Sequence, residues 1–375
     1  MLVGMRKLKL LIIVALVGTV AFAASDRPPA VPERLQHQAN GVAEWLDGGV
    51  EKSQFSTGAD LFNREWAYGT AQMAALGFGQ LAAQDEANRA LHLARMETAI
   101  EAMLSPEGRA FHAGLWDSDP LEGTRGHAAW LGYTNLALSL HRSLVPESRY
   151  AALNDRISDT IAERVLAEPS GVFETYPDQR FPVDTAAGIA SVMLHDRVTG
   201  RQHHAAISHW RKAYDVQQRA ADNHLLYQMT RADGRPRVAE RGSGTFLAAW
   251  FLSFGDRSLA CDLYTTGRDT LGDSLGPVAG MREYAPGVDG RADIDSGPIV
   301  MGLGLSSTGF ALGAAHACGD LETVASLTRT VEWFGAARDD GEVLHWQAGE
   351  VFGGAPIADA IMFAMMSTPG RYGGG

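Results

Sequence analysis

The feature that most constrains the fold is a repeat of apolar segments. Segments rich in Gly, Ala, Ser and Thr, with no polar face, recur about every 58 residues. They begin near residues 66, 126, 185, 244, 300 and 356. A fixed period of this length is typical of repeat architectures. Because a helix that is apolar on every side must be buried on every side, each segment predicts an inner helix.

An amphipathic segment precedes each apolar one. In 150–166, for example, Tyr150, Leu153, Ile157 and Ile161 recur at spacings of three and four, as on a helix with one face on a core. The predicted outer helices are 31–48, 86–104, 149–167, 203–221, 256–273 and 320–337. The sequence therefore predicts an all-α fold, an (α/α)6 toroid of six helical hairpins, as one domain over residues 24–370.

The links between these helices are asymmetric. Links from an inner to an outer helix are short, as in 198–201, 254–256 and 318–320. Links from an outer to an inner helix are long, near 105–125, 168–184, 222–243, 274–298 and 338–355. In a ring of hairpins all long links share one face. We expect them, with residues 50–65, to rim one central cavity, since function tends to lie on loops held by a rigid scaffold.

The N-terminus predicts export. Arg6, Lys7 and Lys9 precede an apolar run from Leu10 to Ala24, and residues 21–23 form an A-x-A cleavage site. We expect a signal peptide over residues 1–23 and a periplasmic or extracellular protein, with an uncleaved anchor as the alternative. Residues 371–375 predict a frayed tail.

Charge restricts the partners. The formal net charge is −12 and there is no basic cluster, which argues against nucleic acid. We expect a small molecule or oligosaccharide as substrate and no stable membrane span in the mature chain.

The layout resembles the six-hairpin (α/α)6 toroid superfamily. Two loop motifs also look family-like, Phe173–Asp178 and Asp293–Pro298. Many members are glycosidases or unsaturated-uronyl hydrolases, so the resemblance implies a carbohydrate-active hydrolase or lyase. The linalool dehydratase–isomerase family is similar in layout and relies on cysteines at its cavity.

Acidic residues of the long links supply candidates for acid–base chemistry, because glycoside hydrolysis needs two carboxyl groups across a cleft. The general acid is predicted to be Asp184 or Glu174, and the base Asp295 or Glu240. Asp184 is also well placed as the N-cap of the helix that follows it. The two roles are compatible.

Other residues of the same links are predicted to bind substrate. Flat aromatic rings beside carboxylates suit a sugar, and Arg offers a planar fork to an acidic one. The predicted binding residues are Tyr176, Asp178, Trp116, His127, Arg241, Tyr284, Asp293 and Trp346. The alternative role of the aromatic rings is to anchor the loops to the barrel. The alternative role of the arginines is to pair with acidic residues of the loops.

No metal or cofactor is expected. The chain has no His-Glu-x-x-His, no Cys-x-x-Cys and no phosphate-binding glycine loop. His203, His204 and His209 fall on an outer helix and are expected to face solvent. Cys261 and Cys318 are expected on the short-link face, as a structural disulfide or as two inert thiols.

We expect an exported carbohydrate-active enzyme that acts on a neutral or acidic oligosaccharide by carboxylate acid–base catalysis. Two alternatives stay open. One is an isomerase, dehydratase or cyclase for a hydrophobic substrate, which would show an apolar cavity with one or two isolated acids. The other is a non-catalytic binding protein, whose carboxylates would all be paired to arginines.

Overall fold

The computed structural model describes residues 31–112, 115–275, 278–294, 296–351 and 353–370. The predicted signal peptide, the predicted tail and the candidate base Asp295 lie outside the described residues.

Within the described residues, twelve helices alternate between an outer and an inner position, as the repeat predicts. The outer helices are α1 Glu33–Asp47, α3 Arg89–Leu104, α5 Ala151–Ala167, α7 His204–Ala213, α9 Arg257–Leu271 and α11 Leu321–Phe334. The inner helices are α2 Asp60–Gln84, α4 Ala128–Leu144, α6 Pro182–Thr199, α8 Gly242–Gly255, α10 Leu305–Cys318 and α12 Ala355–Met366. Short helical turns at 52–54, 106–109, 214–218 and 348–351 lie in the remaining segments.

The inner helices form a closed ring. Each packs on the next, and α12 returns to pack on α2, so the six pairs close. The outer helices pack around this ring, with a continuous apolar core between the layers. Large side chains such as Trp130, Trp210 and Trp250 are fully buried in it. The predicted (α/α)6 toroid of six hairpins is therefore confirmed.

Small residues allow the inner helices to approach closely, as their composition predicts. A methyl group added to Gly132 of α4 would lie 2.8 Å from the backbone nitrogen of Gly188 in α6. It would also lie 2.9 Å from the carbonyl oxygen of Asp184. No side chain fits at this contact, so glycine at position 132 fixes the distance between α4 and α6.

Short strands, which the sequence did not predict, lie in and beside the long links. The antiparallel pairs are β1 Tyr227–Thr230 with β2 Pro236–Glu240, β3 Gly272–Leu275 with β4 Val278–Met281, β5 Ile299–Val300 with β6 Leu303–Gly304, and β7 Ala337–Asp339 with β8 Leu344–Trp346.

The fifth inner helix begins later than predicted. The expected start near 300 is wrong, because residues 299–304 form a hairpin and α10 begins at Leu305. Met301 and Gly302 have φ values of 53° and 89°. Left-handed backbone at two successive residues cannot continue into a right-handed helix.

Cys261 of α9 and Cys318 at the end of α10 form a disulfide with a Cα–Cα distance of 5.5 Å. It lies on the face that carries the short links, where both cysteines are expected. Among the described helices, none is long and apolar enough to cross a membrane.

Candidate functional site

A central cavity of about 360 Å³ lies inside the inner ring, and every inner helix contributes to its wall. Most of the lining is apolar, from side chains such as Trp66, Phe181, Phe251, Phe310 and Met362. The polar lining residues include Glu65, Gln72, Tyr133, Thr175, Tyr176, Asp184, Gln228, Ser243, Ser306 and Thr308. The size is within the range of small-molecule sites.

Asp184 is a carboxyl group in the wall of this cavity. Helix α6 begins at Pro182, so Asp184 is in the first turn and is not the N-cap residue itself. Its carboxylate makes no capping bond. One oxygen accepts a hydrogen bond of 2.5 Å from the Tyr133 hydroxyl of α4, and the other accepts one from the Thr175 hydroxyl.

Burial raises the pKa of Asp184 to about 6, although the hydroxyls of Thr175 and Tyr133 oppose the shift. The side chain is almost fully buried, and no cation pairs with it among the described residues. A carboxyl group of this kind holds its proton to near-neutral pH and can deliver it to a substrate, as a general acid must.

Glu65 supplies a second carboxyl group to the same cavity. It lies in the second turn of α2, and its Oε2 accepts a hydrogen bond of 2.6 Å from the Tyr176 hydroxyl. Thr175 and Tyr176 are consecutive, so one short stretch of the 168–181 link orients both carboxyl groups. The cavity wall therefore contains one carboxyl group with a raised pKa and a second carboxyl group.

Two buried amides also face the cavity. Gln72 Nε2 in α2 and Gln228 Oε1 in β1 are buried and have no hydrogen-bond partner among the described residues. A buried polar group without a partner costs free energy. A ligand with hydroxyl groups could satisfy both atoms, since a hydroxyl donates and accepts.

Three of the predicted site residues line this cavity, namely Asp184, Tyr176 and Trp346. Trp346 lies in β8, and its backbone N–H donates to the buried Asp359 of α12 at 2.7 Å. This bond holds the backbone of β8 to α12.

Two predicted binding residues line a different cavity. Trp116 and His127 lie 5.0 Å apart between ring centroids and share a cavity of about 470 Å³ with His112 and Asp119. Burial and the charge of Arg164 lower the pKa of His127 to about 4. Trp116 donates a hydrogen bond to the Thr175 carbonyl, so this second cavity adjoins the loop that orients Asp184.

Among the described residues, the other predicted acids do not line the central cavity. Glu174 is buried and lies 3.3 Å from Arg180, and its side chain accepts the backbone N–H of Asp178. The Asp178 side chain is exposed. Glu240 ends β2 and accepts a hydrogen bond from the Asn223 amide.

Arg241 and Asp293 pair with each other across the mouth of the barrel, at 2.5 Å between Nη1 and Oδ2. The Tyr284 hydroxyl donates to the Arg291 carbonyl. These contacts hold the 282–294 segment to the start of α8. Pairing of arginines with loop acids is the alternative that the sequence left open for Arg241.

Several polar and aromatic lining residues were not predicted. Thr175 and Gln228 lie on long links, and Glu65, Trp66, Gln72 and Tyr133 lie on inner helices α2 and α4. Polar residues within otherwise apolar segments could have indicated these positions. An inner helix buries its side chains, so a polar side chain on it is expected to face a cavity.

The chain matches no family in a scan against protein-family models, and no curated protein matches it by sequence. Solved structures do match. An inactive variant of an α-1,6-mannanase of Salegentibacter sp. HEL1_6, in complex with α-1,6-mannotetrose, is 10% identical with a TM-score of 0.54. The match covers 90% of this chain and 98% of that one.

A D-mannose isomerase is 12% identical with a TM-score of 0.53, over 78% of this chain and 85% of that one. Cellobiose 2-epimerase from Bacillus thermoamylovorans B4167 is 11% identical with a TM-score of 0.51, over 79% and 87%. These enzymes share the six-hairpin (α/α)6 toroid, which confirms the resemblance at the level of the fold.

Proposed function

We propose that this chain is an exported carbohydrate-active hydrolase that cleaves a glycosidic bond in the central cavity. Asp184 is the general acid, and Glu65 is the second carboxyl group. The observation that carries the proposal is the placement of these two groups in one cavity, held by consecutive hydroxyls of Thr175 and Tyr176. Glycosidases need such a pair, with the acid raised in pKa.

The rest of the cavity supports a sugar ligand. Trp66 and Trp346 offer flat apolar faces for the C–H side of a sugar ring. The amides of Gln72 and Gln228 are available for its hydroxyls. The similar folds include enzymes whose names specify mannan, mannose and cellobiose, so saccharides are the first ligands to test.

Export rests on the N-terminal pattern. The basic residues, the apolar run and the A-x-A site of residues 1–24 support secretion of the chain. A periplasmic or extracellular location is compatible with the disulfide, since disulfides persist in oxidising compartments.

A thermal-shift screen of residues 24–375 tests the proposal. The panel contains neutral oligosaccharides of mannose and glucose, acidic uronate oligosaccharides and terpenoid alcohols. A ligand that binds only the folded chain raises its melting temperature. A saccharide hit is then incubated with the protein, and new reducing ends are measured for wild type, Asp184→Asn and Glu65→Gln.

Glu174→Gln and Glu240→Gln are the matched controls, because both remove a carboxyl group outside the central cavity. We expect turnover to be lost in Asp184→Asn and Glu65→Gln and retained in the controls. Full turnover in both cavity variants, or loss only in Glu174→Gln, would contradict the assignment.

The apolar lining favours one second candidate, an isomerase, dehydratase or cyclase for a hydrophobic substrate. Here Asp184 would protonate an alkene or an alcohol within largely apolar walls. If a terpenoid alcohol raises the melting temperature in the same screen and no saccharide does, this function is favoured over hydrolysis.

A further inference from the structure

A cluster of histidines and aspartates lies at the opposite end of the barrel from the cavity. Helix α6 ends near Thr199, and Gly200, with φ of 75°, turns the chain into the short link to α7. The turn places His203 beside His195 and Asp196, in the last turns of α6. The side chain of His203 is only 12% exposed, so the expectation that it faces solvent is wrong.

Three potential ligand atoms converge in this cluster. His203 Nδ1 lies 2.6 Å from Asp196 Oδ1, and His195 Nδ1 lies 3.5 Å from the same oxygen. Ligand atoms of the three residues all lie within 4.8 Å of one another. Ligands about 2.1 Å from a tetrahedral zinc ion lie about 3.4 Å apart. The His195–Asp196 pair already has this spacing, whereas His203 Nδ1 would have to move away from Asp196 Oδ1 to admit an ion.

His195 Nδ1 gives an independent indication. It is completely buried and makes no hydrogen bond within the described residues. A buried ring nitrogen without a partner needs an explanation. A metal ion bound between His195 and Asp196 would supply one.

The outer nitrogens of both histidines are held by carboxylates. His195 Nε2 lies 2.7 Å from Asp155, and His203 Nε2 lies 2.9 Å from Asp159. Both aspartates lie on α5, one helical turn apart. A histidine that binds a metal almost always donates its other ring N–H to a carboxylate or carbonyl, which fixes the tautomer and orients the ring. Here both rings have this arrangement.

The local charge also favours a cation. Asp155, Asp159 and Asp196 contribute three negative charges, and Arg142 and Arg201 contribute two positive ones next to them. The side chains around the two histidines therefore carry one net negative charge, which favours a bound cation.

We propose that His195, His203 and Asp196 form a binding site for a divalent transition metal, most suitably zinc. Two imidazoles and one carboxylate are a donor set that suits zinc, and water would complete the tetrahedron. The site is separate from the cavity and connects α5, α6 and the start of α7. The ion has a structural role, because it stabilises the packing of these helices on the short-link face.

Equilibrium dialysis of the untagged chain against zinc chloride at pH 7.5 tests the site. We expect one zinc ion per chain and a rise in melting temperature with zinc concentration. Cobalt chloride gives a second readout, because tetrahedral cobalt has a visible absorption spectrum that octahedral aqueous cobalt lacks. His203→Ala should weaken zinc binding at least 100-fold, and Asp159→Asn about 10-fold.

His204→Ala is the matched control, because His204 is the next residue in the chain and is exposed. It should leave zinc binding unchanged. Circular dichroism shows whether each variant is folded. No binding to the folded wild type at 100 µM zinc, or equal losses in His203→Ala and His204→Ala, would overturn the proposal. So would binding that survives His203→Ala and disappears in His127→Ala, which would place the ion in the second cavity.

Discussion

The two ends of the barrel differ in the partners of their acidic side chains. At the end with the long links, Asp184 is buried with only hydroxyls as partners, and the amides of Gln72 and Gln228 have unpartnered buried atoms. At the end with the short links, the cysteines form a disulfide and Asp320 accepts bonds from Tyr264, Thr323 and Arg268.

This difference suggests that one end of the barrel serves activity and the other end serves stability. Buried polar groups without partners and a buried carboxyl group with a raised pKa lower the stability of the fold. Proteins tolerate such groups where they serve binding or catalysis. The disulfide and the paired aspartate stabilise the fold without touching the cavity. Changes at the long-link end should therefore affect activity, and changes at the short-link end should affect stability.

The largest expected effect is that of Asp184→Asn on activity. We expect kcat/KM to fall by about 10²–10⁴-fold, since a general acid contributes that much. The pH profile of the wild type should fall above about pH 6, where Asp184 loses its proton. Steady-state rates on the saccharide identified by thermal shift measure both. A wild-type rate in Asp184→Asn would contradict the assignment of activity to the long-link end.

The same variant should not lose stability at pH 8. The pKa of Asp184 is raised, so its favourable contribution is complete below pH 3.8 and is lost as pH rises through about 6. Asn cannot ionise and avoids this loss. We expect a melting temperature at pH 8 equal to or above that of the wild type, and a clearly lower value would contradict the pKa shift.

Removal of the disulfide should have the largest effect on stability. Cys261→Ser with Cys318→Ser opens a loop of 57 residues, for which the entropic estimate is about 4 kcal/mol of unfolding free energy. Urea denaturation of both proteins measures the loss. Activity at 25 °C should stay unchanged, because the bond is remote from the cavity. A large loss of activity in the folded double variant would show that the two ends are coupled.

Gly132→Ala tests the contact between α4 and α6. The added methyl group meets backbone atoms at 2.8 and 2.9 Å, so the helices must separate. We expect a loss of about 1–3 kcal/mol and a lower rate, because Tyr133 and Asp184 lie at this contact. Gly188→Ala is the control. Its methyl group meets the Ile161 side chain at 3.3 Å and the Gly132 backbone only at 3.7 Å, so it should cost less in a denaturation experiment.

The smallest expected effect is that of Asp320→Asn. Burial opposes ionisation, but hydrogen bonds from Arg268, Thr323 and Tyr264 lower the pKa of Asp320 to about 2. This contribution is complete above pH 3.8 and is lost as pH falls through about 2, so Asn should cost up to about 2 kcal/mol at neutral pH. Denaturation curves at pH 7 and pH 2.5 should show the difference shrinking. A constant difference would assign the effect to the helix cap.

Several parts of the fold could be predicted because they depend on local pattern. The period of about 58 residues and the alternation of apolar with amphipathic segments predict twelve helices. The outer helices lie within a few residues of their expected positions, except that α7 ends at Ala213 and not near 221. The strands in the long links could not be predicted. They are two to five residues long, and pairing with a neighbouring segment, rather than their own pattern, fixes them.

The candidate site was only partly predictable. Asp184, Tyr176 and Trp346 lie on segments that the sequence assigns to one face, and the cavity includes all three. The aspartate at 293 lies on the same face and pairs with Arg241 instead. Sequence gives the face on which a residue lies, but the rotation of each helix and the course of each loop decide which side chains meet.

The sequence by itself determined the ring of helical hairpins, because the 3.6-residue period and the length of each repeat are properties of the chain. Only the tertiary structure decided which carboxyl groups line the cavity and which pair with arginines. Asp184 and Glu65 are far apart in the chain and meet in one cavity through Thr175 and Tyr176. Burial and partners determine the pKa of a carboxyl group, and both come from segments that no local pattern connects.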